Sequence, residues 1–257
     1  MPRRTAADRR RAGAIALSGV LVLAPAGAHA ANGPCAPLRF DNAGYAICTF
    51  DARRDDIRLY WKDAGGKPYA NFTALAQTLK TRDRALRFAM NAGMFEADLS
   101  PVGLFVEDGK REHRADTREG ASNFHLKPNG IFWIGEGTAG VAETSRYLAN
   151  PPAARFATQS GPMLVIDGRI HPKILPTGTS EKIRNGVCVR DGTTAIFAIS
   201  DEPVTFHAFA RLFHDALGCA NALFLDGSVS SLYAPDLGRD DEFSPLGPIV
   251  GVSAPAP

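Results

Sequence analysis

The chain has 257 residues, 45% of them hydrophobic, with 29 lysines and arginines against 27 acidic residues, for a formal net charge of +2. Five of those arginines and one aspartate fall within the first 30 residues, so the remainder carries 24 basic and 26 acidic groups. A near-neutral, slightly acidic body excludes the electrostatic footprint of a nucleic-acid binder or of a protein drawn to an anionic membrane.

In chain order, the first element is a leader. Arg3, Arg4 and Arg9 to Arg11 precede an uncharged stretch from Ala12 to Ala26 and then Ala28-His29-Ala30. Basic, apolar and small-x-small regions in that order are the features of a secretory signal peptide. The apolar stretch is shorter than the ~20 residues of a bilayer-spanning helix, so cleavage after Ala30 is expected, with no membrane anchor retained. Residues 31–257 are expected to form one domain in the periplasm or outside the cell. No repeat or low-complexity block divides them.

Export places Cys35, Cys48, Cys188 and Cys219 in an oxidising compartment. No Cys-x-x-Cys or Cys/His spacing suits zinc, and two disulfides are expected. Four cysteines allow three connectivities. We favour Cys35 with Cys48 and Cys188 with Cys219, which join neighbours in sequence or in the expected core.

Beyond the first cysteines, Phe72, Leu75, Ala76 and Leu79 predict a helix over Asn71 to Lys80. The short apolar runs Ala85 to Met90 and Ala222 to Leu225 read as buried strands. Asp-Gly and Asn-Gly pairs predict hairpins because they accept positive φ. They follow Leu104 to Val106 (Asp108-Gly109), Phe124 to Leu126 (Asn129-Gly130), Met163 to Ile166 (Asp167-Gly168) and Val187 to Val189 (Asp191-Gly192). A second helix is predicted over Thr205 to Leu217, with Phe206, Phe209, Phe213 and Leu217 on one stripe. The expected fold class is α+β, a mixed and largely antiparallel sheet with a few packed helices.

Four polar segments interrupt these strands: Met90-Asn91-Ala92-Gly93-Met94-Phe95, Ala157-Thr158-Gln159-Ser160-Gly161-Pro162, Ile183-Arg184-Asn185-Gly186 and Leu225-Asp226-Gly227-Ser228. An acid at the end of a buried strand is held by the sheet while its side chain reaches a cleft, although Asp-Gly there is also an ordinary turn. Ser228 and Ser230 lack a Gly-x-Ser-x-Gly setting and a histidine placed to activate them. His207 and His214 stand about 10 Å apart along a helix and are read, with Arg211, as a wet face rather than metal ligands.

Together with Ser100-Pro101-Val102-Gly103-Leu104 and Lys127-Pro128-Asn129-Gly130, these segments resemble the phosphodiester glycosidase family over about residues 85 to 235. This is the family of the lysosomal uncovering enzyme, and the match is to its bacterial exported branch. Two motifs depart from the family pattern. Asn91-Ala92-Gly93-Met94-Phe95 stands for an Asn-Gly-Gly-Phe-Phe-like segment, and Asp226-Gly227-Ser228-Val229-Ser230 for an Asp-Gly-Gly-Gly-Ser-like one.

The resemblance implies an exported hydrolase of glycosyl phosphodiesters or related envelope glycans, with a sugar phosphodiester as partner and no cofactor, an oxygen-ligated cation near Asp226 being left open. Such chemistry needs stabilisation of a cation-like sugar and a hold on the phosphate. Asp226 is assigned as base or nucleophile, with Glu96 or Asp98 as the second carboxylate. Arg184 suits the phosphate, aided by backbone at Gly161, Gly186 and Gly227. Asn91, Gly93, Gln159, Ser160, Asn185 and Ser228 complete the expected substrate contacts. The rival readings are a non-catalytic periplasmic protein that binds glycans or phosphosugars, and a structural envelope factor.

Overall fold

The computed structural model describes residues 33–256, so the expected signal peptide lies outside the described residues. Among the described residues three antiparallel sheets carry the fold, with α-helices at Phe72–Lys80, Thr144–Ala149 and Phe206–Arg211 and short turns of helix elsewhere. The largest sheet has seven strands in the order Cys35–Phe40, Ala43–Asp51, Thr194–Ser200, Asn185–Arg190, Ala222–Phe224, Met163–Ile166 and Arg169–Ile170. A five-stranded sheet runs Arg239–Asp240, Leu232–Ala234, Arg84–Asn91, Ile249–Pro255, Asp56–Tyr60. The other five-stranded sheet runs Lys110–His113, Phe105–Glu107, Phe156–Ser160, Gly130–Ile134, Ala139–Glu143. A two-stranded ribbon pairs Glu181–Lys182 with Val204–Thr205. Every ladder among the described residues is antiparallel, which corrects the expectation of a mixed sheet.

Three of the four expected Asp-Gly or Asn-Gly turns form. Asp108 and Gly109, Asp167 and Gly168, and Asp191 and Gly192 all adopt positive φ at the tips of their hairpins. The fourth does not. Asn123–His125 is a turn of 3-10 helix, and Asn129 is buried with its side-chain amide donating to the Phe124 carbonyl at 2.9 Å. Gly130 enters a strand between Glu143 and Ser160. A Cβ there would stand 2.9 Å from Met163 Cγ, so the glycine serves close packing rather than positive φ.

The expected helix at Phe72–Lys80 is capped by Asn71, whose side chain accepts from Ala74 N, and buries Phe72, Leu75 and Leu79. The second begins under a Thr205 cap as Phe206–Arg211 and widens into a π turn at Leu212–Ala216. Arg211 and His214 both pair with Asp215, and the His214 ring also meets the Gly168 carbonyl at 3.0 Å. Their hydrogen bonds are those of a polar face. No helix among the described residues is long and apolar enough to cross a membrane.

The sheets share one core. Phe197 from the seven-stranded sheet lies 5.0 Å from Phe88 in one five-stranded sheet and 5.7 Å from Phe132 in the other, ring centre to ring centre. The favoured cysteine pairing is the one formed, Cys35 with Cys48 and Cys188 with Cys219. The first cross-links facing residues of one hairpin. The second ties a central strand to the segment that follows the last helix and leads into Ala222–Phe224.

Closing the 31-residue separation between Cys188 and Cys219 restricts the unfolded chain by about 3 to 4 kcal/mol. Replacing both cysteines by alanine is therefore expected to lower Tm by roughly 10 °C in a calorimetric scan.

Candidate active site

Arg84–Asn91 ends where Asn185–Arg190 begins, although the two strands belong to different sheets. Their terminal asparagines meet. Asn185 Nδ2 donates to the Asn91 side-chain oxygen at 2.9 Å and to the Asn91 carbonyl at 3.0 Å. Asn91 Nδ2 donates to the Asp226 carbonyl at 2.7 Å, and Asn91 Oδ1 also accepts from Ser231 N at 2.9 Å. Ser230 Oγ closes the network against Asn185 Oδ1 at 3.2 Å. The buried amides thus spend their hydrogen-bonding capacity on each other and on the loop that carries Asp226. They position that loop; Asn91 and Asn185 do not line the cavity beside it.

Asp226 stands two residues past the end of the buried strand Ala222–Phe224. Its side chain is 8% exposed, and Oδ1 accepts from Ser228 N at 2.9 Å. Burial raises its pKa above the usual carboxylate value, against a smaller pull downward from the backbone and hydroxyl of Ser228. It opens onto a cavity of about 240 Å³ lined by Met94, Asn123, Ser180, Lys182, Arg184, Phe224, Gly227 and Ser228. Asp226 is the one carboxylate in that lining.

Arg184 is 1% exposed, and among the described residues no carboxylate pairs with it. Its Nε donates to the Val204 carbonyl at 2.8 Å and Nη2 to the Ser180 carbonyl at 2.6 Å. The guanidinium lies 3.6 Å from the ring centre of Phe206 and 5.5 Å from that of Phe224. Phe206 packs against the core with the rest of its predicted stripe, and its ring face also serves as the platform under this cation. Burial lowers the pKa of Arg184 to about 10, so it remains charged at neutral pH. A buried cation held by carbonyls, the Ser180 hydroxyl and ring faces, all uncharged, leaves its charge for an anion in the cavity.

Other expected contacts lie elsewhere. Gln159 is buried in the third sheet, where Oε1 accepts from Leu104 N and Asp116 N and Nε2 donates to the Asp116 carbonyl. Ser160 is buried and its hydroxyl has no hydrogen-bond partner among the described residues. Gly93 and Gly161 are sites of close approach: a Cβ on Gly93 would stand 2.3 Å from the Gln159 carbonyl, and one on Gly161 2.8 Å from that of Phe124.

Glu96 and Asp98 are not brought to it. Both are exposed, and Asp98 Oδ1 accepts from Ser100 N and Oγ in a local turn. The expected second carboxylate is thus corrected: an Asp-x-Ser turn satisfies Asp98 locally and keeps the loop at the surface. In the opposite direction, Lys182, Ser180 and Asn123 line the cavity unannounced. Lys182 stands two residues before Arg184, a spacing that puts side chains on one face of extended backbone and is visible in the sequence. Asn123 comes from a loop distant in sequence and carried no such signal.

The phosphodiester glycosidase family pattern matches residues 84–247, which include every residue lining this cavity. This chain belongs to the phosphodiester glycosidase family. An uncharacterised protein of Escherichia coli K12, YigE, is 30% identical over 185 residues, 72% of each chain. In three dimensions the fold resembles the catalytic domain of zebrafish N-acetylglucosamine-1-phosphodiester alpha-N-acetylglucosaminidase, solved auto-inhibited by its pro-peptide. The TM-score is 0.59 at 15% identity, over 85% of this chain and 81% of that one. A putative exported protein of Burkholderia pseudomallei gives 0.51 at 12% identity, over 84% and 74%.

Two outcomes follow from the geometry. Asn185→Ala removes both donors to Asn91 and the Ser230 contact, leaving Asn91 its bonds to the Asp226 carbonyl and Ser231 N, and is expected to cost about 1 to 3 kcal/mol in a denaturant titration. Asp226→Asn keeps an acceptor for Ser228 N but removes a buried charge. A raised native pKa means that the folded state binds more protons than the unfolded one between the two pKa values, so wild-type stability falls as pH rises through that window. The asparagine variant is expected to melt above wild type at pH 7, with the gap closing below about pH 4, near the unfolded aspartate pKa; equal Tm values at pH 7 would contradict the buried-charge account.

Proposed function

We propose that the protein hydrolyses glycosyl phosphodiesters, with the sugar against Asp226 and the phosphate toward Arg184 and Lys182. One observation carries this reading: the cavity joins a single carboxylate to two cations. Ordinary glycoside hydrolysis uses two carboxyl groups because an alkoxide leaves poorly without a proton. A phosphate monoester leaves with the bonding electrons and needs no such acid. The absence of Glu96 and Asp98 from the cavity therefore suits a phosphate leaving group better than an alcohol.

In this scheme the anomeric carbon–oxygen bond breaks as negative charge grows on the departing phosphate, where Arg184 and Lys182 stabilise it. Asp226 in its ionised form either takes a proton from the attacking water or attacks the anomeric carbon, in which case water then hydrolyses the glycosyl ester and frees the carboxylate. Ser228 N steadies the carboxylate, and the Asn91–Asn185 pair fixes its loop. The raised pKa of Asp226 puts the acid limb of kcat/KM above the pH at which an ordinary aspartate would place it. The two disulfides fit an exported protein, as the leader predicts.

Turnover by the purified protein on a panel of sugar-1-phosphodiesters tests the reading. Asp226→Asn is expected to lower kcat by ~10²- to 10⁴-fold with substrate still bound. Lys182→Ala, at the rim, is expected to raise KM several-fold and to weaken its salt dependence. A folded wild type that binds these compounds without cleaving any of them would instead establish a phosphosugar-binding protein.

A further inference from the structure

A larger cavity, about 480 Å³, lies at the other end of the strand that leads to the active site. Arg84–Asn91 starts beside it with Arg84 and Arg87 and ends at Asn91, and eight extended residues span roughly 23 Å. The cavity is lined by Phe50 of the seven-stranded sheet and Pro34 just before it, by Val252 to Pro255 of the neighbouring sheet, and by Arg54, Asp55, Asp56, Arg84 and Arg87. It shares no lining residue with the Asp226 cavity.

The charges in this groove are unequally committed. Asp56 accepts from Arg58 Nε at 2.7 Å and Arg84 Nη2 at 2.6 Å, with Ser253 Oγ at 3.3 Å. Asp55 Oδ2 accepts from Asp51 N at 2.7 Å. Asp56 is thus paired, while Asp55 has a single backbone partner and no ion pair among the described residues. The lining's three guanidiniums still exceed its two carboxylates, and two of the arginines have donors to spare. Arg87 is exposed and makes no ion pair or side-chain hydrogen bond among the described residues. Arg54 has only a 3.3 Å contact with Asp51, a carboxylate that Arg53 already holds at 2.6 and 2.9 Å.

We propose that this groove is a second, non-catalytic binding site for an anionic group, a phosphate or a carboxylate, held between the guanidiniums of Arg54 and Arg87. Planar forks with free N–H donors meet two oxygens of such a group at once. Val252, Pro255 and Pro34 supply apolar walls for the body that carries it. The site holds whether or not Asp226 is catalytic, because it rests on different residues.

An NMR titration with inorganic phosphate, and separately with glucuronate, reads it through the backbone amides of Phe50, Arg87 and Ser253. Saturable shifts are expected there for one or both ions, with Kd weakened at least tenfold in Arg54→Ala/Arg87→Ala. Both side chains are exposed, and Arg87→Lys is expected to recover part of the binding in a folded background. The amides of Gly227 and Ser228 report the Asp226 cavity and are expected to titrate equally in wild type and the double variant. No saturable shift in the groove with either ion, or shifts indifferent to the loss of both arginines, would overturn the proposal.

Discussion

The contact between Asn91 and Asn185 is the point on which fold and site both depend. Each asparagine ends or begins a buried strand, in different sheets, where neither amide has access to bulk water. An unmatched amide in that position costs more than a hydrogen bond normally returns, so the two side chains can be accommodated only by each other and by the nearby backbone. Their partners are the Asp226 carbonyl, Ser231 N and the Ser230 hydroxyl. The same requirement that joins the sheets therefore dictates the path of the loop from Asp226 to Ser231.

That loop delivers a carboxylate into a place where charge is expensive. Arg184 is more costly still, being nearly inaccessible and neutralised by no acid among the described residues. Phe206 and Phe224 soften the burial through their ring faces, and the Ser180 and Val204 carbonyls take two of the guanidinium donors. Structures keep such arrangements where a ligand completes them, and the stability sacrificed is characteristic of active sites. Gly227 belongs to the same economy of space: a Cβ there would stand 2.5 Å from the Phe224 ring, which is part of the cavity wall.

Several elements were legible because their signals are local. The Asp-Gly hairpins depend on positive φ at adjacent residues, the helix at Phe72–Lys80 on a four-residue spacing with an asparagine cap, and the strand Arg84–Asn91 on a short apolar run. The strands from Cys35 to Tyr60 and the C-terminal Ile249–Pro255 went unread. The Asp41-Asn42 turn of the first hairpin lacks the glycine that marks the others, yet both residues adopt positive φ. Phe156–Ser160 looked like a polar loop because Thr158, Gln159 and Ser160 are buried polar residues, and burial is decided by the two strands flanking them.

For the site, the sequence by itself determined the chemistry available: an aspartate at a strand end, an arginine before another strand, asparagines and glycines at their junctions, and a family to which these belong. Which of them share a cavity was decided only by tertiary structure. Asp226 and Arg184 line one cavity because antiparallel strands distant in sequence end side by side. Lys182 and Asn123 join them from a ribbon and a loop. Glu96 and Asp98, close to Asn91 in sequence, turn away because Ser100 satisfies Asp98 within the loop. Sequence proximity constrains only local hydrogen bonds, whereas the convergence of charges depends on how three sheets bury their common core.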